Sequence, residues 1–238
     1  MKNPRVITML LAILALAMVA AAGPGTKLGW WPWDTGFTII KWGTYVGFVA
    51  VVAAAILVAM LAIPRWRARP WVPVAALIVA LLAIAPPLIV RNQAKGVPPI
   101  HDITTDTADP PAFVALLAER QKARNGAEYR GQAIAAQQQK AYPDIKTLVV
   151  KAPPGETVQK AIDAARSLGW EVVSSDAPAG RIEATATTSW WGFKDDVVVR
   201  VRPEGSGSRV DVRSMSRVGM SDLGANAKRV REFLAKLG

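Results

Sequence analysis

The run DVVVRVRPEGSGSRVDVRSMSRV, residues 196–218, decides how the C-terminal half of the chain folds. In its first part Val197, Val199 and Val201 alternate with Val198, Arg200 and Arg202; in its second, Val210 and Val212 alternate with Arg209, Asp211 and Arg213. A period of two marks a strand with one buried face. The segment Gly205-Ser206-Gly207-Ser208 between the two parts forms turns readily, so 196–202 and 209–218 read as an antiparallel hairpin. In a symmetric hairpin Arg200 stands opposite Asp211 on the solvated side, a pair worth a few tenths to ~1 kcal/mol.

The same pattern extends upstream. Arg181–Thr188 sets Ile182, Ala184 and Ala186 against Arg181, Glu183 and Thr185, and Trp170–Ser174 is a further strand. Before it, Val158, Ala161, Ile162, Ala165 and Leu168 recur at helical spacing, and Gly169 follows as a stop. Lys146–Lys151 is β-rich and is separated from that helix by the turn Pro153-Pro154-Gly155. Downstream, Leu223, Ala227, Val230, Leu234 and Leu237 make the apolar stripe of a closing helix over 222–237, with Ser221 or Asp222 as its cap. Near the start of this half, Asp109-Pro110 reads as a helix N-cap and first position. The helix it opens runs to about Ala123, turns Phe113, Leu116, Leu117 and the stem of Arg120 inward, and stops at Asn125-Gly126; a second short helix covers 131–140. The order β-α-ββββ-α predicts an α+β domain, an antiparallel sheet with helices packed on one face, over residues 96–238. Its 143 residues can bury a core without disulfides, and the chain has no cysteine.

Residues 1–95 follow another logic. Val6–Ala22 (17 residues), Trp42–Ile63 (22) and Trp71–Val90 (20) carry no charge and are apolar on every face. About 20 such residues cross a ~30 Å hydrocarbon layer, and a helix satisfies its own backbone there. Trp30, Trp31 and Trp33 precede the second stretch, and Trp66 and Trp71 bracket the turn to the third. Tryptophan favours the headgroup zone, although ordinary packing also uses it. Pro73 fits a first helical turn, and Pro86-Pro87 kinks or ends the third helix. The first stretch has two readings, a retained helix or a cleaved secretory signal, since a basic start (Lys2, Arg5) and Ala20-Ala21-Ala22 suit both. Arg65, Arg67 and Arg69 load the Pro64–Pro70 loop without an acid, which places that loop in the cytoplasm. The chain is then a multi-pass protein of a cell inner membrane, and its C-terminal domain lies in the periplasm.

The formal net charge of +11 divides unevenly. Residues 1–95 hold nine Lys/Arg against Asp34, a net +8, and the remainder holds 20 Lys/Arg against 17 Asp/Glu, a net +3. Most of the excess belongs to membrane flanks, so the partners implied are the lipid bilayer and an anionic ligand or envelope protein, not nucleic acid.

Three long motifs carry a resemblance: WGFKDDVVVR at 191–200, DVRSMSRVG at 211–219 and SDLGANAKR at 221–229, with HDITTD at 101–106 and YPDI at 142–145 in support. Over roughly 97–237 the chain resembles the domain-of-unknown-function 1499 family. The resemblance implies a bacterial protein with N-terminal membrane helices and supplies no activity. Some members have a Cys-containing motif near the domain start; here His101–Asp106 stands in that region without cysteine.

Candidate site residues follow from charge and position. His101, the only histidine, lies beside Asp102 and suits a metal ligand, a general base or a turn residue. Arg213, Arg217, Asp222, Asn226 and Arg229 span a strand end, a loop and a helix start, where Arg213, Arg217 and Arg229 can converge with a helix N-terminus on one anion, or where the polar side chains satisfy the loop. Trp190, Trp191 and Phe193 suit a membrane contact, a ligand groove or a core corner. No G-x-S-x-G, G-x-G-x-x-G, P-loop, H-E-x-x-H or EF-hand loop occurs, and no cofactor or catalytic set is assigned. The spans hold no charge, which argues against a transport path through this chain alone. The sequence therefore favours a non-enzymatic, membrane-tethered domain that binds a lipid, envelope component or protein partner. The alternatives are an envelope hydrolase using His101 and nearby carboxylates, and an accessory subunit of a membrane complex.

Overall fold

A computed structural model describes residues 3–67 and 69–238; Lys2, part of the basic start, lies outside them. Two compact units divide the chain: residues 1–93 with Ser189–Gly192, and residues 94–188 with 193–238.

The first unit is three long helices, each apolar enough to cross a membrane: α1 (Pro4–Lys27), α2 (Trp33–Ala59), which a 3₁₀ turn extends to Ala62, and α3 (Trp71–Ala94). All three exceed the apolar stretches that foretell them. Asn3 caps α1 by accepting from the Arg5 N–H, and Pro4 takes the first position. Helix α2 begins nine residues before Trp42, with Asp34 in its first turn where the helix dipole favours an acid. Helix α3 continues through Pro86-Pro87 to Ala94 rather than ending there. Most of the buried residues are small: Ala12, Ala15 and Ala22 on α1, Gly43, Gly47, Ala50 and Ala54 on α2, Ala76, Ala80 and Ala83 on α3, with the larger Val19, Leu57 and Ile84 among them. Ala12, Ala50 and Ala80 meet in one cluster. Leu10, Ile13, Val52, Ile56 and Leu82 point outward. Small residues at the seam and large apolar ones outside are the arrangement lipid imposes. The protein is a membrane protein by this construction.

The second unit is mixed α+β: β1 (Asp102–Thr104), α4 (Leu117–Lys122), α5 (Gln132–Ala141), β2 (Leu148–Val150), α6 (Pro154–Ser167), β3 (Glu171–Asp176), β4 (Arg181–Thr187), β5 (Lys194–Glu204), β6 (Gly207–Ser216) and α7 (Ala225–Leu234). Every pairing is antiparallel, in the order β1-β6-β5-β4-β3. Strand β2 pairs with residues 208–210 of β6, and β1 with residues 213–215. The hairpin has the symmetric register, with Arg200 opposite Asp211.

One sheet face carries the apolar core. Ile182, Ala184, Val197, Val199, Val201, Val210 and Val212 pack with Val158, Ala161, Ile162 and Ala165 of α6 and Ala227, Val230 and Phe233 of α7. Phe233 stacks on Trp170 with ring centroids 5.2 Å apart. The closing helix is shorter than its stripe suggests. Gly224, at φ 83°, breaks the helical path, so Leu223 falls outside it and is exposed, while Phe233 is fully buried and Leu234 only partly.

The opposite face, read from sequence as solvated, is covered by the segment that follows β1. Phe113 and Leu116 pack on Val198 and Met215. The helix foretold from Asp109 does not start there. The Glu183 carboxylate instead accepts from the N–H groups of Val114, Ala115 and Leu116, and α4 begins only at Leu117, whose side chain is exposed. Asp109 accepts from Arg200 and Arg202 rather than capping a helix. Arg120 is buried whole, beyond its stem.

Candidate functional site

Strand β6 is the spine of the polar architecture, because alternation sends its side chains to opposite faces. Arg209, Asp211, Arg213, Met215 and Arg217 face one way; Ser214 and Ser216 face the other, toward α7. The neighbouring acids Asp195 and Asp196 divide in the same manner.

On the α7 face, a buried network supports the loop Gly219–Gly224. Arg229 donates to the Asp195 carboxylate (2.7 Å) and to Ser214 Oγ (3.1 Å). Ser214 donates to Asn226 Oδ1 (2.6 Å), and Asn226 Nδ2 donates to Ser216 Oγ (2.9 Å) and to the His101 carbonyl (3.0 Å). Asp222 holds the loop's end by accepting from the N–H groups of Gly224 and Asn226, both at 2.8 Å. Burial pushes the Asp222 carboxyl above the usual carboxylate range; the two amides oppose that shift, and nearby Asp195 reinforces it. His101 is buried, with Nδ1 3.2 Å from the Met220 carbonyl. That oxygen only accepts, so Nδ1 carries the hydrogen, and Nε2 is buried with no hydrogen-bond partner among the described residues. Asn125 Nδ2 donates to the Gly219 carbonyl, and the Asp222 N–H to that of Ile100.

The loop is thus tied at Gly219, Met220 and Asp222, yet it displays apolar side chains. Met220 is 80% exposed and Leu223 47%. Leu223 adopts φ 56°, a left-handed conformation that costs a side-chain-bearing residue roughly 1–2 kcal/mol. Such strain persists only where the surroundings enforce it, and here the buried network does so.

The other face holds ion pairs. Arg213 makes a bidentate pair with Asp102 (2.9 and 2.8 Å) and lies over the rings of Phe113 and Tyr129. Burial, with Asp102 nearby, raises the Tyr129 hydroxyl to about 12; Arg213 opposes this. Arg217 makes a bidentate pair with Asp196, whose carboxylate also accepts from Arg120 and Thr185. Farther along, Asp211 accepts from Thr105, Thr147, Arg200, Arg202 and Arg209.

The seven candidate residues therefore separate into two groups. His101, Asp222, Asn226 and Arg229 meet beneath the loop; Asp102 and Arg213 pair on the opposite face, and Arg217 lies on that face with its own acid. The convergence of Arg213, Arg217 and Arg229 on one anion does not form, because β6 and α7 place Arg229 across the sheet from the other two. Sequence reasoning missed Asp195, Asp196 and Glu183. The signal was present in two consecutive acids entering a valine run, which alternation must bury on opposite faces. Among the described residues no three His, Asp or Glu side chains group as a metal site.

A three-helix membrane region joined to an antiparallel α+β domain, with the longest sequence motifs on β5, β6 and the loop and start of α7, defines the class. The chain belongs to the family described as Protein of unknown function (DUF1499), whose model matches residues 102–237. Among solved structures, the chain is similar to the crystal structure of TTHA0849 from Thermus thermophilus, at 14% identity and TM-score 0.22, over 38% of this chain and 84% of that one. No curated protein matches it.

Proposed function

We propose that this protein is a membrane-tethered recognition module of the bacterial inner membrane, with its α+β domain in the periplasm and the Gly219–Gly224 loop as its presenting surface. The observation that carries the reading is the pairing of rigidity with exposure: Met220 and Leu223 stand in solvent on a loop held by His101, Asn125 and Asp222. Exposed apolar side chains on a fixed, strained backbone suit docking, whereas Arg213, Arg217 and Arg229 are each paired with a carboxylate within the fold. The arginines of the 64–70 loop support the orientation.

Photo-crosslinking residues placed at Met220 and at Lys160, on the exposed side of α6, test the surface in growing cells. Adducts at Met220 and none at Lys160 are expected; equal labelling at both sites overturns the reading. Alkaline phosphatase fused after Gly238 should be active, and a reporter that fluoresces only in the cytoplasm should stay dark there. The reverse pattern overturns the orientation.

A further inference from the structure

We infer that the occupant of the Gly219–Gly224 loop is the lipid interface itself, with Met220 and Leu223 dipping into the headgroup zone. This rests on the reading of that loop as the recognition surface and names what the surface meets.

The argument is one of covalent reach. The last residue of the third apolar run is Val90, and α3 ends at Ala94. Four helical residues advance about 6 Å. Three more residues lead to Val97, at most about 10 Å of chain. Val97 lies against the loop: a Cβ placed on Gly224 would meet Val97 Cγ1 at 3.8 Å. The next residues bind the loop directly, since the Ile100 carbonyl accepts from the Asp222 N–H and the His101 ring meets the Met220 carbonyl. Val97, which lies against Gly224 at the end of the loop, is therefore at most about 16 Å of chain from Val90, and the headgroup layer is ~5–8 Å thick.

The chemistry fits the place. Met220 and Leu223 offer flexible and branched apolar tips of the kind that enter an interface. Asp222 between them is turned inward onto Gly224 and Asn226, so the displayed edge carries no acid. Arg91 and Lys95 flank the exit in sequence and suit anionic headgroups; Lys228, exposed on the first turn of α7, already pairs with Glu232 at 3.7 Å. The buried polar bed explains why the loop keeps its shape, since two apolar side chains on a slack loop would fold back onto the domain.

The chain has no cysteine, so Met220→Cys, Leu223→Cys and Lys160→Cys each create a single labelling site. The full chain is spin-labelled and reconstituted in vesicles of phosphatidylethanolamine and phosphatidylglycerol, and the accessibility of the label to oxygen and to a water-soluble nickel chelate is compared. Neither loop position is buried, so the labelled proteins should keep the parent's thermal transition. At 220 and 223 oxygen should prevail over the chelate, and at 160 the order should reverse. A mobile, chelate-accessible label at 220, matching that at 160, overturns the inference; if crosslinking at Met220 is also blank, the recognition reading falls with it. An immobilised label shielded from both reagents indicates a protein surface, which overturns the lipid assignment and leaves the recognition reading standing.

Discussion

The helical region and the α+β domain bury opposite kinds of side chain. Between the helices lie mostly alanines and glycines, with most leucines, isoleucines and valines facing out. Inside the domain lie valines, isoleucines and Phe233, with charged pairs buried alongside them. The difference comes from the solvent. Lipid gives an outward leucine nothing to escape from, so close backbone approach decides the helical seam. Water expels apolar surface and makes a buried charge expensive, so every guanidinium taken into the domain must find a carboxylate.

The comparison breaks most visibly when one kind of truncation is made in both regions. Phe233→Ala removes a fully buried ring stacked on Trp170 and should cost the domain about 3–5 kcal/mol. Ile56→Ala removes an outward side chain whose place lipid can take, and it should leave helix packing nearly unchanged. Hydrogen exchange of the full-length protein in bilayer nanodiscs reads both regions at once. Equal loss of protection in the two variants would show that the helical seam is stabilised in the same way as the domain.

Next in size is Arg213→Gln. It strands the Asp102 carboxylate, 5% exposed, without its bidentate partner, a change expected to cost about 3–5 kcal/mol. The double variant Asp102→Asn/Arg213→Met should recover part of that loss, because two neutral groups leave no buried charge. A folded, undiminished Arg213→Gln protein would return Arg213 to the list of free, ligand-facing residues.

The β-hairpin, the sheet's antiparallel sense, α6 and the three apolar helices were all legible in sequence, because each rests on local periodicity. Boundaries failed where a distant residue intervened. Glu183 takes the amides of Val114–Leu116 and delays α4, and no local pattern at Asp109-Pro110 announces an acid more than seventy residues away. The second sheet face was invisible for a related reason. Arg200, Arg213 and Asp211 look like a solvated face until the chain following β1 is laid over them. In the loop, Ser221-Asp222-Leu223 resembles a helix start, and only the positive φ at Leu223 and Gly224 shows that the helix waits until Ala225. The small-residue seam is the opposite case: Gly43 and Gly47 stand within an apolar run, and their spacing of four places both on one helical face.

A smaller effect separates two acids by pH. Burial alone would raise Asp211, but hydrogen bonds from Thr147 and Arg200, and the charges of Arg200 and Arg209, hold its pKa below the usual range. Its contribution is present above the ordinary carboxylate pKa of ~3.9 and is lost as pH falls through its lower, folded value. Asp222 has the opposite sign. Its raised folded pKa means the native state holds a proton more tightly than the unfolded chain, so stability falls as pH rises from ~3.9 through that folded value. Asp211→Asn should blunt acid destabilisation, and Asp222→Asn should remove the loss on neutralisation. Thermal transitions measured across acid pH check both, and parallel curves for parent and variants would overturn the assignment.

The smallest effect concerns a second arginine–aspartate pair with the same fork. Arg231 donates through Nε and Nη2 to the two oxygens of Asp144, as Arg213 does to Asp102, and its guanidinium also lies over the Tyr142 ring. The hydrogen bond from Arg231 holds Asp144 below the usual carboxylate range. What differs is exposure: 42% and 55% of these side chains remain in solvent, against 3% and 5% for the buried pair. Water and salt screen the exposed charges and solvate whichever partner is left alone, so Arg231→Ala should cost no more than about 1 kcal/mol. Raising ionic strength should erode that contribution and leave the Arg213–Asp102 contribution intact, because a Debye length of ~3 Å at 1 M salt acts on charges in water rather than on charges enclosed by protein. Denaturation of both arginine variants at low and high salt checks the contrast. A salt-insensitive loss at Arg231 as large as that at Arg213 would mean that geometry, rather than burial, sets the worth of these pairs.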